Sequence, residues 1–516
     1  MFFFSIHTIG CKLNQLESEA VADAFRREGF TPVPWERPEG DSRLLILNTC
    51  TVTSMAEQKA RRLIRKALRE DSGACVLVTG CYAQLNGAEL EALGAEFPGR
   101  FFVISGDRKS ALLDLPRYLS SLLPAQGLAA LVKGWLQGAG DSLPSPDRRF
   151  RFAPAEFTVH SRAFLKIQDG CDRRCAYCRV TLARGASVSL APEEVLRRLR
   201  ALEAQGCAEA VLTGVNICRY RGDFGGSSPL GLGALLGYLL GRTERIRLRL
   251  SSLEPEDIDR ELLESLKDGR LRPHFHLSVQ SGSRRVLEKM GRRYGPEQVE
   301  QAASRLRELK GDPFLACDII AGFPGEEEAD FQETLELCGR IGFAWIHCFP
   351  YSPRPGTPAW ALGPAGREAG ARAAELLELA RRGRRAYAGR WIGREVELVL
   401  EGKGVKSVSR CPGAAPVTGT SENYLKLLIP RLPADLRPGD MLRCRLRALP
   451  EVRALPEVRA LPEVRALPEA LPGGAGPETL PQGDFDAAAE PEVFLHGGAH
   501  LDAGPFAWVQ CQCPGR

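Results

Sequence analysis

No run of apolar residues in this 516-residue chain approaches the roughly 18 needed to cross a bilayer. The opening, MFFFSIHTIGC, lacks the positive n-region, long apolar core and small-residue cleavage site of a secretory signal. These absences lead us to expect a cytoplasmic protein with no membrane partner. With 44% hydrophobic and 26% charged residues, the composition excludes wholesale disorder, a collagen-like repeat and a small disulfide scaffold. Lysine is missing from residue 448 onward, where 4 Arg face 10 Asp and Glu. That tail carries −6, so of the overall +5 the body to residue 447 carries +11. Cysteine, by contrast, is plentiful at 16 residues. In a reducing compartment it serves metal binding or catalysis rather than disulfides.

At about 100–200 residues per domain the length predicts roughly three domains. Residues 1–122 alternate apolar runs (FFFSIHTI, RLLILNT, CVLVTG, RFFVIS) with amphipathic helical stretches, the pattern of an α/β domain with a parallel sheet of βαβ units. Residues 123–156, rich in Gly, Pro and Ser, read as a linker with one short helix at most. Over 157–383 the alternation resumes, with strands at AFLKIQD, EAVLTGVN, IRLRLSS, HFHLSVQ, FLACDII and AWIHCFP. Six such units predict a partial (β/α)6 barrel with its chemistry at the C-terminal strand ends. Residues 384–447 switch to short strands (EVELVLEG, VKSVS, NYLKLLIP, MLRCRLRAL), a small antiparallel, OB-like barrel. From 448 to 516 the chain is a Pro-rich, low-complexity, disordered tail. ALPEVR stands three times in tandem there, and a proline every six residues prevents a continuous helix.

Two cysteine sets carry the chemistry. KIQDGCDRRCAYC puts Cys171, Cys175 and Cys178 directly after a predicted strand. Three thiolates in eight residues can wrap one face of a cubane iron–sulfur cluster and leave its fourth iron open. A structural zinc site would want a second Cys-x2-Cys pair, and none follows at suitable spacing. Tyr177 stands between the last two thiols. The second set is dispersed: Cys11, Cys50 and Cys81 each follow one of the first three principal strands. In a parallel sheet those ends share one edge, so the three can meet on one ion or cluster. Buried cysteine is also ordinary core filler, the default for Cys75, Cys207, Cys218, Cys317, Cys338, Cys348, Cys411 and Cys444. Cys511 and Cys513 at the tail make no site alone.

At these residues the chain resembles the radical S-adenosylmethionine (SAM) methylthiotransferases. HTIGCKLNQLESE, NTCTVTSMAEQKARR, GCYAQ, KIQDGCDRRCAYC, LTGVN, SSLEP, VQSGS, DIIAGFPGE and YSPRPGTPAW fall in the family's order over residues 1 to about 447. The resemblance implies an N-terminal methylthiotransferase domain, a radical SAM domain and a TRAM domain. NTCTVT, LTGVN and SSLEP are closest to the subgroup that methylthiolates N6-threonylcarbamoyladenosine at position 37 of tRNA. The isopentenyladenosine subgroup, or one acting on a ribosomal-protein aspartate, is the alternative. An iron–sulfur electron carrier or RNA-binding protein without radical chemistry is a third reading.

The resemblance further implies two [4Fe-4S] clusters and SAM as cofactors. Cys171, Cys175 and Cys178 would hold the cluster that chelates SAM and generates a radical from it. Cys11, Cys50 and Cys81 would hold the cluster that presents sulfur for methylation and transfer. A reducing electron donor is a further implied partner. Gly214, Asn216, Gln280 and Asp318 end or line predicted barrel strands and, with Tyr177, are candidates for SAM or substrate contact. The loop RVTLARGASVSL keeps the family's Arg184 and Gly185 but lacks its later arginines. For RNA, ELARRGRRAYAGRWIGR supplies Arg381, Arg382, Arg384, Arg385 and Arg390, with Trp391 among them. Guanidiniums attract phosphate and aromatics stack on unpaired anticodon-loop bases.

Overall fold

A computed structural model describes residues 2–35, 43–122, 127–138, 146–154, 162–226, 228–401, 417–429, 436–448 and 509–512. Five parallel strands form the N-terminal sheet, in the order Thr31–Pro32, Phe3–Thr8, Arg43–Thr49, Ala74–Gly80, Phe101–Val103. Arg43–Thr49 and Ala74–Gly80 are buried throughout, as a strand covered on both faces must be. One face packs on the helix Lys12–Arg27 through Val21 and Phe25, the other on Ser54–Glu70 through Ala60 and Ile64. The register sets Thr8 beside Asn48 and Asn48 beside Thr79. Cys11, Cys50 and Cys81 follow that row by three, two and two residues.

The central domain has six parallel strands in two runs of three. Ala163–Lys166, Glu209–Thr213 and Arg247–Leu250 form the first, and His274–Gln280, Phe314–Ala321 and Trp345–Pro350 the second. The bridges Leu248↔Leu271 and Leu253↔Leu277 join them into one open barrel. Each strand returns through a helix, as parallel neighbours require. Leu16 of the helix Lys12–Arg27 packs on Phe164 and Val211 of the first two barrel strands, so the N-terminal domain seats directly on the barrel.

The C-terminal strands Glu395–Glu401, Val417–Ser421, Lys426–Ile429, Val509–Gln512 and Met441–Ala448 close into a barrel. It docks on the central domain through a buried ionic knot. Arg249, 1% exposed, donates to both oxygens of Glu209 (2.7 and 2.9 Å) and to the backbone oxygens of Glu422 (3.0 Å) and Ser421 (3.1 Å). Burial works against the Glu209 charge, but Arg249, Arg162 and Arg272 hold its carboxyl down at about 2.

Four expectations need correction. The region read as a linker with one short helix at most is not a loose connection: its helix Leu128–Gly138 packs Leu128, Leu131, Val132 and Trp135 into the N-terminal core. Its apolar spacing was diluted by flanking Gly and Pro. The helix Ala369–Trp391 runs through residue 383, so the small barrel begins at Glu395. The tail is not wholly disordered: Val509–Gln512 pairs with Met441–Ala448 and covers an otherwise open edge. Cys444, read as a free core thiol, is disulfide-bonded. The VKSVS strand and the ALPEVR repeats lie outside the described residues.

The topology makes the repeats a connection within the barrel. Ending the chain at residue 448 is expected to lower the thermal midpoint of the C-terminal barrel. Deleting one ALPEVR unit is expected to leave it within a small fraction of 1 kcal/mol, because closure entropy changes by only about 0.6 kcal/mol per doubling of loop length. Calorimetry checks both, and an unchanged midpoint in the truncated chain would contradict the pairing.

Candidate functional site

Cys11 is the N-cap of the helix Lys12–Arg27, Cys50 follows Thr49 directly, and Cys81 opens the helix Cys81–Leu85. Gly10, at φ +112°, permits their approach: a Cβ there would stand 2.8 Å from the Cys50 sulfur. Asn14 ties two of the loops, donating to Ile9 O (2.9 Å) and Thr49 O (3.0 Å). Asn48 reciprocates to Asn14 O at 2.9 Å. Burial, then the neighbouring thiols of Cys11 and Cys81, push Cys50 up to about 12. Cys50 is buried and Cys11 and Cys81 are half-buried, and a thiol as reluctant to ionise as Cys50 is one that a bound iron cluster would stabilise as thiolate.

A two-stranded ladder, Gln168–Asp169 against Val188–Ser189, frames the other cysteine loop. Burial raises Cys171, and it pushes Cys178 up to about 12, where Cys175 and Cys171 add to it. Backbone N–H groups of Val52, Arg173 and Val180 each donate at 3.4 Å to the sulfur two residues earlier, of Cys50, Cys171 and Cys178. Such donors stabilise cluster thiolates, so both sets fit a [4Fe-4S] group. Among the described residues, no three or more His, Cys, Asp or Glu gather tightly enough for one metal ion. A cubane asks for wider spacing, one thiolate per iron.

The other candidates divide. Arg292 donates to the Tyr177 hydroxyl and to Glu254, both at 2.7 Å, so Tyr177 braces the cysteine loop. Gly214 lies where a Cβ would meet the Gln168 amide oxygen at 2.8 Å, and Asn216 N donates to that oxygen. The buried Asn216 Oδ1 has no hydrogen-bond partner, an acceptor open to a bound amine. Gln280 is buried at φ +69°, one of two described non-glycine residues with positive φ. Strain of this kind is kept where the site needs it. Asp318 stands 3.2 Å from His276 in the barrel interior. Burial opposes its charge, but His276 and His347 outweigh it and hold the carboxyl below its usual range.

Sequence reasoning missed what joins the two cysteine sets. Arg179, next to Cys178, donates to the Thr51 hydroxyl, next to Cys50, at 3.2 Å and to Glu57 at 3.3 Å. Arg354 reaches the same Thr51 at 3.0 Å and pairs with the same Glu57. A second knot lies beside it. Arg184 donates to Glu17 (3.0 Å), Asp169 (3.1 Å) and Asn14 (2.9 Å), and Glu17 also pairs with Lys109 and Lys166. Burial alone would raise Glu17, yet Arg184, Lys109 and Lys166 hold it well below the carboxylate range. The only signal was Arg184 itself, noted as a family match.

The expected RNA cluster is largely occupied. Arg381 and Arg385 pair with Glu378, Arg390 pairs with Asp312, and Arg384 lies over the Trp345 ring. Trp391 is half-buried and packs against the small barrel's core. Arg382 is exposed.

Residues 165–338 match the Radical SAM superfamily, and residues 4–98 match Uncharacterized protein family UPF0004. The threonylcarbamoyladenosine tRNA methylthiotransferase MtaB of Treponema pallidum is 41% identical, over 83% of this chain and 95% of its own length. The protein of that name from Thermotoga maritima is 34% identical over 82% and 90%. The tRNA-2-methylthio-N(6)-dimethylallyladenosine synthase of Paracoccus denitrificans is 33% identical over 86% and 93%.

Glu17→Gln is expected to destabilise the folded chain by about 3–5 kcal/mol, because only Asp169 is left to answer three buried cations. Glu17 is depressed in the folded state, so its contribution is whole above about pH 4.3 and fades as pH falls further. The variant should flatten that acid limb in denaturant unfolding. Identical acid limbs would contradict the role given to Glu17.

Proposed function

The chain belongs to the radical SAM methylthiotransferases, in the subgroup of threonylcarbamoyladenosine tRNA methylthiotransferases, and we infer that it replaces the C2 hydrogen of N6-threonylcarbamoyladenosine-37 of tRNA by a methylthio group. The observation that supports this most is the bond from Arg179 to Thr51, which couples the chain neighbours of Cys178 and Cys50. One adenine between the two sets can then meet both half-reactions.

The clusters and SAM, when bound, supply the reducing electron, the hydrogen-abstracting radical, the sulfur and the methyl group. Cys171, Cys175 and Cys178 would hold one cluster and Cys11, Cys50 and Cys81 the other. Asn216, Gly214 and Gln280 line the SAM side. Gly214 keeps the wall flat, and the Asn216 amide oxygen accepts from an ammonium group. Asp318, kept ionised by His276, orients polar groups entering the barrel interior. Glu57, with Arg179 and Arg354, keeps the two domains closed over the site and excludes water.

Substrate recognition centres on the anticodon loop, whose bases are already partly unstacked, so presenting the target adenine costs little. An external donor delivers the electron. Among the described residues no helix is long and apolar enough to cross a membrane, and we place the reaction in the cytoplasm.

Nucleosides from a strain lacking the protein are expected to lose 2-methylthio-N6-threonylcarbamoyladenosine in mass spectrometry; its persistence would refute the substrate. Loss of the methylthio form of isopentenyladenosine instead would favour the alternative. Cys175→Ala is expected to abolish 5′-deoxyadenosine formation, whereas Cys50→Ala keeps some of it and stops sulfur insertion. Equal loss of both activities in both variants would refute the division of roles.

A further inference from the structure

The helix Ser54–Glu70 begins four residues after Cys50. Its inner face, Glu57, Ala60, Ile64 and Ala67, is buried against the sheet and the domain junction. At 100° per residue, Met55, Gln58, Arg62, Arg65 and Arg69 fall within an arc of about 80° on the opposite face. All five are exposed.

The helix's charges are not equivalent. Arg61 is bound to the Tyr82 hydroxyl (2.7 Å) and Glu89 (3.1 Å), and Lys66 lies 3.8 Å from Glu70. Glu57 is taken by Arg179 and Arg354. Among the described residues no acidic group lies within ion-pair distance of Arg62, Arg65 or Arg69. Three unneutralised guanidiniums on one line contrast with the helix Ala369–Trp391, whose arginines mostly have carboxylate partners.

We propose that this face is a phosphate track for the RNA substrate, along which Arg62, Arg65 and Arg69 guide the strand to or from the target adenine. The proposal rests on the tRNA-modifying function inferred above. Three observations support a polyanion here. The three cations span about 10 Å of helix, a length over which a nucleic-acid strand offers about three phosphates. The helix is anchored at Glu57 beside the cysteine sets, so its far end is rigidly related to the reacting base. Val52 and Met55, 58% and 57% exposed between Cys50 and the arginines, offer apolar contact to bases leaving the site.

The test uses the full chain with both clusters reconstituted and an anticodon stem-loop RNA carrying N6-threonylcarbamoyladenosine. Affinity is measured by fluorescence anisotropy between 50 and 300 mM salt for wild type, the triple variant Arg62→Glu, Arg65→Glu, Arg69→Glu and the matching triple Lys variant. Iron content and circular dichroism confirm that each is folded and loaded. The Glu triple is expected to bind at least about tenfold more weakly at 150 mM salt, and to lose about 2–3 from the slope of log affinity against log salt, while the Lys triple keeps most of both. A folded Glu triple with wild-type affinity and slope overturns the track alone. Failure of the wild type to bind the stem-loop overturns the functional reading and the track with it.

Discussion

The junction between the two cysteine sets turns on one buried contact, the carboxylate of Glu57 shared by Arg179 and Arg354 with Thr51 between them, and a second knot at Glu17 supports it. Burying such a group is costly, and an apolar interface of the same volume would often be as stable or more so. What the ionic form supplies is direction. A greasy junction tolerates sliding, whereas a carboxylate meeting two guanidiniums and a hydroxyl has few satisfactory arrangements. Because Thr51 and Arg179 adjoin Cys50 and Cys178, the geometry of the junction is also the geometry of the two cysteine sets.

The same device recurs at each domain boundary. Glu17, answered by Arg184, Lys109 and Lys166, sits beside the first contact, and Glu209, answered by Arg249, Arg162 and Arg272, locks the C-terminal barrel below. Lys12 connects these levels. It follows Cys11 in the chain, yet its charge acts on Tyr424 of the small barrel, whose hydroxyl is lowered to about 8 because Lys12, Arg162, Lys426 and Arg249 outweigh burial. His276, Asp318 and His347 lie together in the central barrel and make its interior polar. Such an interior is unsuited to a hydrophobic core and suited to a polar ligand.

Much of this was legible from residues alone. The strands read from FFFSIHTI, RLLILNT and CVLVTG are the ones observed, the last two because strands buried on both faces are near-continuous apolar runs, and all six barrel strands were visible as short apolar or alternating stretches between helical ones. That Cys11, Cys50 and Cys81 share an edge followed from their strand-end positions. Glu17, Glu57 and Arg354 were invisible because each is an ordinary charged residue locally; partners 92 to 303 positions away give them their meaning. The basic run around Arg385 has partners that sequence does not reveal, since Glu378 and Asp312 pair with arginines counted there as free. The closing strand Val509–Gln512 was hidden behind a repeat that suggested a featureless tail.

The measurement that bears most directly on the junction is a Glu57→Ala variant assayed for iron content, 5′-deoxyadenosine and methylthiolated RNA in one preparation. If the contact aligns two otherwise independent sites, the variant keeps the iron of two clusters and still cleaves SAM, while methylthiolated product falls by far more than deoxyadenosine. Product falling only in proportion to deoxyadenosine, or not at all, would show that the two cysteine sets do not depend on this contact for their alignment.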